Sequence, residues 1–475
     1  MIWKTAWKNV WRNPTRSLVV ILSVMIGIFG GVVAVAVMNG MIAQRVEAAL
    51  KDELSNIQIN KKGFRDNYDL LSVVPDNARM MHTLEEVPGV DAVCRRVVVN
   101  GMINSAAKSS GIQINGVYPD EERQVFDLCD QLIPGSGSYL DSAETDNPVY
   151  IGEDLAKDLN IIRYTINEEM IAVLREQQVP EEVLEKLRQK DGTRFINEKA
   201  FKEELGRLFT RKEAAKYGPL IRKAAWTFRP RAKVTLTFLD SANNQTGAVF
   251  RIAGLYDIKN NLFEKTQVFI AAEDLIRLSG LPEGSVHQYM VKIDDLRQTG
   301  QISEEIKKRL PGLEVMNWKE LQPDLAMMSD MVQQFYAVFM VIILAALAFG
   351  IVNTMLMVVL ERTRELGMLT AIGMNKKKVF RMIMLESVFL SLAGGLAGMV
   401  LSWGIIRLTA SRGLDFTRYA EGFEAMGYSS HIYPEISNGF FLTVTVLIII
   451  TGILSAIYPA MKALKLDPAE AIRTE

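Results

Sequence analysis

The chain has 475 residues, 49% of them hydrophobic and 23% charged, with a formal net charge of −1. That length exceeds one ordinary domain, and the near-neutral balance offers no electrostatic footprint for nucleic acid. Two cysteines, Cys94 and Cys129, are too few for a disulfide framework or a cysteine-rich metal site; two free thiols or one disulfide both fit.

In chain order, Trp3, Trp7 and Trp11 recur every fourth residue among Lys4, Lys8 and Arg12, before "NPT". This spacing predicts an amphipathic helix in residues 1–16, lying at the headgroup level where indole rings are favoured. No Asp, Glu, Lys or Arg occurs in Ser17–Gln44, Met331–Leu360, Ser387–Ile406 or Ile436–Met461. Each stretch supplies the ~20 apolar residues that a membrane-crossing helix needs. Four spans are predicted, at 17–44, 331–360, 382–406 and 436–461. The first is longer than the apolar core of a signal peptide, so an uncleaved anchor is expected. Gly27 and Gly31 in the first span, and Gly394 and Gly398 in the third, are spaced for close helix–helix packing, within the chain or to a second copy.

Basic residues orient the spans. The N-terminal tail holds Lys4, Lys8, Arg12 and Arg16 without an acid, and residues 361–381 carry six basic residues against two acidic ones. Lys462, Lys465 and Arg473 follow the last span. The positive-inside rule therefore assigns both termini and the 361–381 loop to the cytoplasm, and residues 45–330 and 407–435 to the outside. Glu386 lies close to the cytoplasmic boundary, within reach of water or a basic neighbour rather than in mid-bilayer.

Residues 45–330 read as a large extracytoplasmic α+β domain between the first two spans. Ile42, Val46, Ala49, Leu50 and Leu54 hold helical spacing, so the first helix continues beyond its apolar run, as does "LQPDLAMMSDMVQQFY" before the second. Strands are predicted at "NIQIN", "VCRRVVVNGMI", "GIQINGVY", "KVTLTFLD", "VFRIAGLY" and "TQVFIA", with helices at "EDLAKDLN", "EDLIRLSG" and "ISEEIKKRL". Residues 163–231 differ: 16 basic and 11 acidic residues accompany helical stripes such as Phe201, Leu205, Leu208 and Phe209. Pro180 before Glu181 and Glu182 is a good helix start. This segment is expected to be a helical insertion, either a surface for substrate or partner or a solvated decoration.

Catalytic patterns are missing. There is no G-x-x-x-x-G-K-[ST] phosphate loop, G-x-S-x-G elbow or H-E-x-x-H motif, and the histidines, His82, His287 and His431, are far apart. Charge-free spans argue against ion-coupled transport, which places ionisable groups at the midplane. The chain is expected to draw its energy from another protein. The 361–381 loop, "ERTRELGMLTAIGMNKKKVFR", offers a place for one: Leu366, Met368, Leu369 and Ile372 fall within about half of a helical wheel, opposite Gly367, Thr370 and Ala371. Gly373 ends the predicted helix. Exposed apolar surface on such a helix invites a covering partner, or lies on lipid headgroups.

The same loop, with the glycine-rich third span after it, resembles the signature R-x-x-E-[IL]-G-x-[LM]-x-A-[IL]-G of the MacB/FtsX-type ABC transporter permeases. Arg362, Glu365, Leu366, Gly367, Leu369, Ala371, Ile372 and Gly373 match it. "AWKNVWRNPTRS" and "YPAMKALKLDPAEAIRTE" are similar to the family's opening and closing segments. "NPVYIGEDLAKDLNI", "FRIAGLYDIKNNLFEKTQVFIAAEDLIRL" and "LPGLEVMNWKEL" resemble the outside domain of its lipoprotein-releasing (LolC/LolE-like) subgroup. The resemblance implies a four-span, non-catalytic inner-membrane subunit without a cofactor of its own, ATP and Mg being bound by a dimer of ATPase subunits. It implies a second permease copy or paralogue, and a lipoprotein cargo or a periplasmic adaptor as further partners besides lipid. The 361–381 loop is then the coupling helix, with Leu366, Leu369 and Ile372 buried against the ATPase and Arg362, Arg364 and Glu365 supplying polar contacts. Macrolide-type efflux and mechanotransmission to cell-wall hydrolases are the alternative roles of the same scaffold. The 163–231 segment is longer than the family's usual connection.

Overall fold

The computed structural model describes residues 2–464 apart from 75–76, 144, 178, 229–231, 259, 420–421 and 424–426. The tail containing Lys465 and Arg473 lies outside the described residues. Two compact units are present: Glu47–Ala326 with Glu421–Tyr428, and Met1–Val46 with Met327–Ala420 and Ser429–Glu475. The first is close to the expected 45–330 domain, joined by a short piece of the 407–435 loop.

That α+β unit opens on β1 (Ile57–Lys61), β2 (Val90–Asn104), β3 (Ser109–Val117) and β4 (Pro148–Gly152). A small sheet follows, of β5 (Arg163–Thr165), β6 (Arg194–Phe195) and β7 (Trp226–Thr227). β8 (Lys233–Leu239), β9 (Gln245–Tyr256), β10 (Gln267–Ala271), β11 (Gln288–Ile293) and β12 (Leu313–Asn317) complete the main sheet. Its order is β12-β1-β11-β2-β3-β10-β4-β9-β8, and β2 also pairs with β8. The long β2 makes this possible: along one edge it pairs first with β11 and then, from Gly101 to Asn104, with β8. Six strands thereby close into a ring whose alternate side chains, among them Val97, Val99, Ile114, Ile151, Phe250 and Ile252, form one core. The three remaining strands are covered by helices Asn77–Glu85 and Thr299–Arg309, which place Leu84, Ile302 and Ile306 against Ile57, Tyr289 and Val291.

Every strand and helix predicted for this unit is present. The sequence pattern does not single out β4, β11 and β12 of the main sheet, nor β5–β7 in the segment expected to be helical. β4 and β11 are buried along nearly their whole length and so lack the polar alternation of a half-exposed strand. The 163–231 segment folds as four helices, Glu168–Glu176, Glu181–Arg188, Glu198–Leu208 and Arg211–Ala225, on the β5–β7 sheet. Asn167, Asn197 and Thr210 cap three of them, the last in a reciprocal capping box with Glu213. Leu174, Leu184, Phe201 and Ile221 are fully buried and join the core of the ring. The charges lie outside, paired as Lys186–Glu213 (2.9 Å), Lys190–Glu204 (2.8 Å) and Arg222–Glu198 (2.7 Å). Cys94 and Cys129 are both free, which removes the disulfide alternative; Cys94 is buried in β2, with Glu122 Oε2 3.5 Å from its sulfur.

Among the described residues, the other unit contains four helices long and apolar enough to cross a membrane. They cover Pro14–Ala48, Pro323–Glu361, Lys376–Arg412 and Asn438–Leu464. The first continues into a π-type turn, Ala49–Glu53, and the second begins well before its apolar run, as the spacing anticipated. Val20, Val24, Ile28 and Val32, one residue per turn, face Met340, Leu344, Ile351, Val444 and Ile448 in a shared core. The remaining apolar side chains, such as Ile26, Phe349, Val400 and Leu442, point outward, as lipid-facing residues do. Gly394 and Gly398 sit against the first helix, where an added Cβ would lie 2.7 Å from the carbonyl oxygens of Ile21 and Met25. Gly27 and Gly31 meet Leu347 and Ile343 of the second helix instead. The four glycines thus pack helices of one chain. Between the third and fourth helices, β13 (Leu414–Asp415) pairs with β14 (His431–Ile432).

Candidate functional site

The 361–381 segment forms a helix, Thr363–Ala371, between the second and third long helices. Its C-terminus is closed by Gly373 at φ +94°, a conformation that favours glycine. Gly373 N–H donates to Thr370 O at 3.1 Å and Met374 N–H to Leu369 O at 2.9 Å, the paired bonds of a Schellman ending. Asn375 then caps the third long helix through Lys377 N–H, and Lys376 Nζ reaches the Leu464 carbonyl at 3.5 Å.

This helix divides its apolar residues differently from the helical wheel. Leu366 is only 4% exposed, inside the core of the long helices, with Gly367 buried beside it and Leu369 partly buried against the same core. Met368 is 48% and Ile372 84% exposed, and Arg364, Ala371 and Gly373 are exposed with them. Leu366 is therefore corrected: it anchors the helix to its own chain and is not free to meet a partner. Arg364, Met368 and Ile372, four residues apart, form the outward stripe.

Arg362 and Glu365 are engaged within the chain. Arg362 donates from Nε to Glu365 Oε2 (3.1 Å) and from Nη1 to both carboxylate oxygens of Glu386 (3.3 and 3.4 Å). Arg12 pairs with Glu365, Arg16 with Glu361, and Asn9 Nδ2 donates to Glu386 Oε1. Arg12 and then Arg362 hold the Glu365 carboxyl below the usual carboxylate range. Glu386 is 4% exposed and meets the basic neighbour its position anticipated.

The N-terminal helix runs Ile2–Val10. Ala6 and Val10 are buried, while Trp3, Trp7 and Trp11 are 65%, 46% and 51% exposed. Trp3 and Trp7 also set their rings edge-on to Phe389 at 5.7 and 5.6 Å. Sequence reasoning used the basic residues of this tail only as markers of orientation and missed their pairing with the loop. The available signal was that the tail's two arginines, Arg12 and Arg16, match in number the loop's two glutamates, Glu361 and Glu365.

Among the described residues, no group of three or more His, Cys, Asp or Glu could hold a metal ion. His287 is fully buried, its Nδ1 accepting from Val98 N–H at 3.0 Å and its Nε2 2.8 Å from Leu70 O.

Comparison with known proteins adds the following. Residues 17–179 match the MacB-like periplasmic core domain, and residues 337–468 the FtsX-like permease C-terminal domain. An uncharacterized ABC transporter permease of Methanocaldococcus jannaschii is 28% identical over 236 residues, 48% of this chain and 55% of that protein. The lipoprotein-releasing system transmembrane protein LolC of Xylella fastidiosa is 22% identical over 234 residues, with the same shares, 48% and 55%. The macrolide export ATP-binding/permease protein MacB of Chlorobium luteolum is 36% identical over 126 residues, 26% of this chain and 16% of that protein. The chain thus spans about half the length of the first two relatives and a much smaller part of the third.

Proposed function

We infer that this chain, an ABC transporter permease of the MacB/FtsX family, is a membrane subunit powered by a separate ATPase that docks on the Thr363–Ala371 helix. The observation that carries the docking role is the outward stripe of Arg364, Met368 and Ile372 on a helix whose other face is anchored by Leu366. An exposed apolar strip beside a cation suits a partner that covers the isoleucine and methionine and pairs with the arginine. ATP and Mg bind the ATPase subunit, a dimer, and a second permease copy or paralogue completes the assembly. Both termini and this helix face the cytoplasm, in keeping with the basic residues that flank the apolar runs. Co-purification of the full chain with a co-expressed candidate ABC ATPase subunit tests the docking role; no ATPase retained by the wild-type chain defeats it.

The substrate moved is a lipoprotein released from the inner membrane's outer surface. What favours this over macrolide-type export is extent: the match to LolC runs over 234 residues, against 126 for MacB. In operation, closing of the ATPase pair on ATP displaces the coupling helix, and the long helices carry that displacement to the extracytoplasmic domain. Depletion of the chain, followed by fractionation of lipoproteins between the two membranes, tests the assignment. Normal sorting, or dependence of an exported small molecule on this chain together with an adaptor, favours export instead.

A further inference from the structure

A continuous set of charged hydrogen bonds joins the N-terminal helix to the coupling helix. Glu386, buried on the third long helix, receives Arg362 on both oxygens and Asn9 on Oε1. Arg362 and Arg12 share Glu365, and a separate ion pair joins Arg16 of the first long helix to Glu361 at the end of the second. Arginines 12, 16 and 362 are balanced by glutamates 361, 365 and 386, so the set is neutral. Asn9, Arg12, Arg16, Arg362 and Glu386 also line one small cleft of about 30 Å³, room for about one water.

Such an arrangement constrains motion. Separating Arg362 from Glu386 leaves a charge uncompensated where Glu386 is 4% exposed, which is far costlier than moving the partners together. The N-terminal helix is itself fastened by Ala6 and Val10 in the core and by Trp3 and Trp7 against Phe389. A helix serving only as a membrane-surface float needs none of these bonds.

Building on the docking role assigned above, we propose that Asn9 and Glu386 are positioning residues for energy coupling. They tie the start of the coupling helix to the N-terminal helix and the third long helix, so that the three segments respond to the ATPase as one body. The N-terminal helix is then a working part of the coupling apparatus.

Amide hydrogen exchange on the full chain in nanodiscs, without ATPase, reads this linkage directly. Asn9→Ala and Glu386→Gln are each expected to speed exchange across residues 363–374 by about tenfold, and the double variant by no more than either alone, because both act through one linkage. Unchanged exchange in Asn9→Ala, or effects that multiply in the double variant, overturns the proposal. Asn9 is only half-buried, so Asn9→Ala reads the linkage even where Glu386→Gln fails to fold. With the ATPase bound, Asn9→Ala is expected to leave the KM for ATP and co-purification unchanged and to lower kcat about fivefold or more. Loss of co-purification instead makes Asn9 part of the docking surface and overturns its positioning role. Failure of the wild-type chain to retain an ATPase removes the docking role alone; the exchange result stands independently of it.

Discussion

Leu366 lies within the Thr363–Ala371 helix and Ile372 caps its C-terminus, yet Leu366 is 4% exposed and Ile372 84%. Substitutions at the two positions should therefore separate folding from partner binding. Ile372→Asp is expected to abolish ATPase co-purification while changing stability by no more than about 0.5 kcal/mol, as a surface substitution does. Leu366→Ala should cost about 2–5 kcal/mol of stability by opening a cavity in the helical core. Thermal unfolding and co-purification, measured on the same detergent-solubilised samples, check both; a stable Leu366→Ala variant without ATPase would reverse the assignment of faces.

Close helix approach makes a second prediction. A methyl group at Gly394 would meet the Ile21 carbonyl oxygen at 2.7 Å, whereas Gly404 on the same helix has nothing within 4 Å of its added Cβ. Gly394→Ala should destabilise by about 1–3 kcal/mol through overpacking. Gly404→Ala should stabilise by about 0.5–1 kcal/mol, since alanine suits a helix interior better. Opposite shifts in thermal midpoint are the expected result.

His287 predicts a pH dependence. Burial pushes its pKa down from 6.5, while its ring accepts from Val98 N–H and bonds Leu70 O in the neutral form. The unfolded chain takes up a proton near 6.5 and the folded chain only at lower pH. The unfolded state then binds more protons, so this histidine's contribution is complete above 6.5 and is lost as the pH falls below it. His287→Leu should lower stability at neutral pH, because Val98 N–H loses its acceptor, and should flatten the profile below about pH 6.5. Denaturation midpoints across that range decide it.

In the α+β unit, Arg96 and Glu122 form an ion pair with exposures of 3% and 1%, and Arg96 also lies over the Phe126 ring at 4.2 Å. Removing one partner strands the other's charge, so Glu122→Ala should cost about 3–5 kcal/mol. Arg123→Ala, breaking the partly exposed pair with Asp141, should cost no more than about 1 kcal/mol. Equal losses in chemical denaturation would show that burial does not set the difference.

Much of this architecture was legible in one dimension. A bilayer demands an unbroken charge-free run, so four long apolar helices could be counted, although among the described residues most of them extend beyond the charge-free runs. Half-buried strands such as β3 and β8 show alternation and were readable; β4, enclosed on both faces, showed none. The helix at 363–371 was legible from its apolar spacing and its closing glycine, but not its division into an inward and an outward face. A wheel shows where residues project, not which side another helix will cover.

By itself, the sequence determined the number and approximate place of the long apolar helices, the α+β character of the unit between the first two and the four helices within residues 163–231. These depend on composition and period within a short window. Only the tertiary structure decided that β2 closes a ring with β8, that Leu366 anchors while Ile372 remains exposed, and that Arg12 meets Glu365 across 353 residues. Such pairings leave no period in the chain, because they are selected by which folded surfaces exclude solvent together.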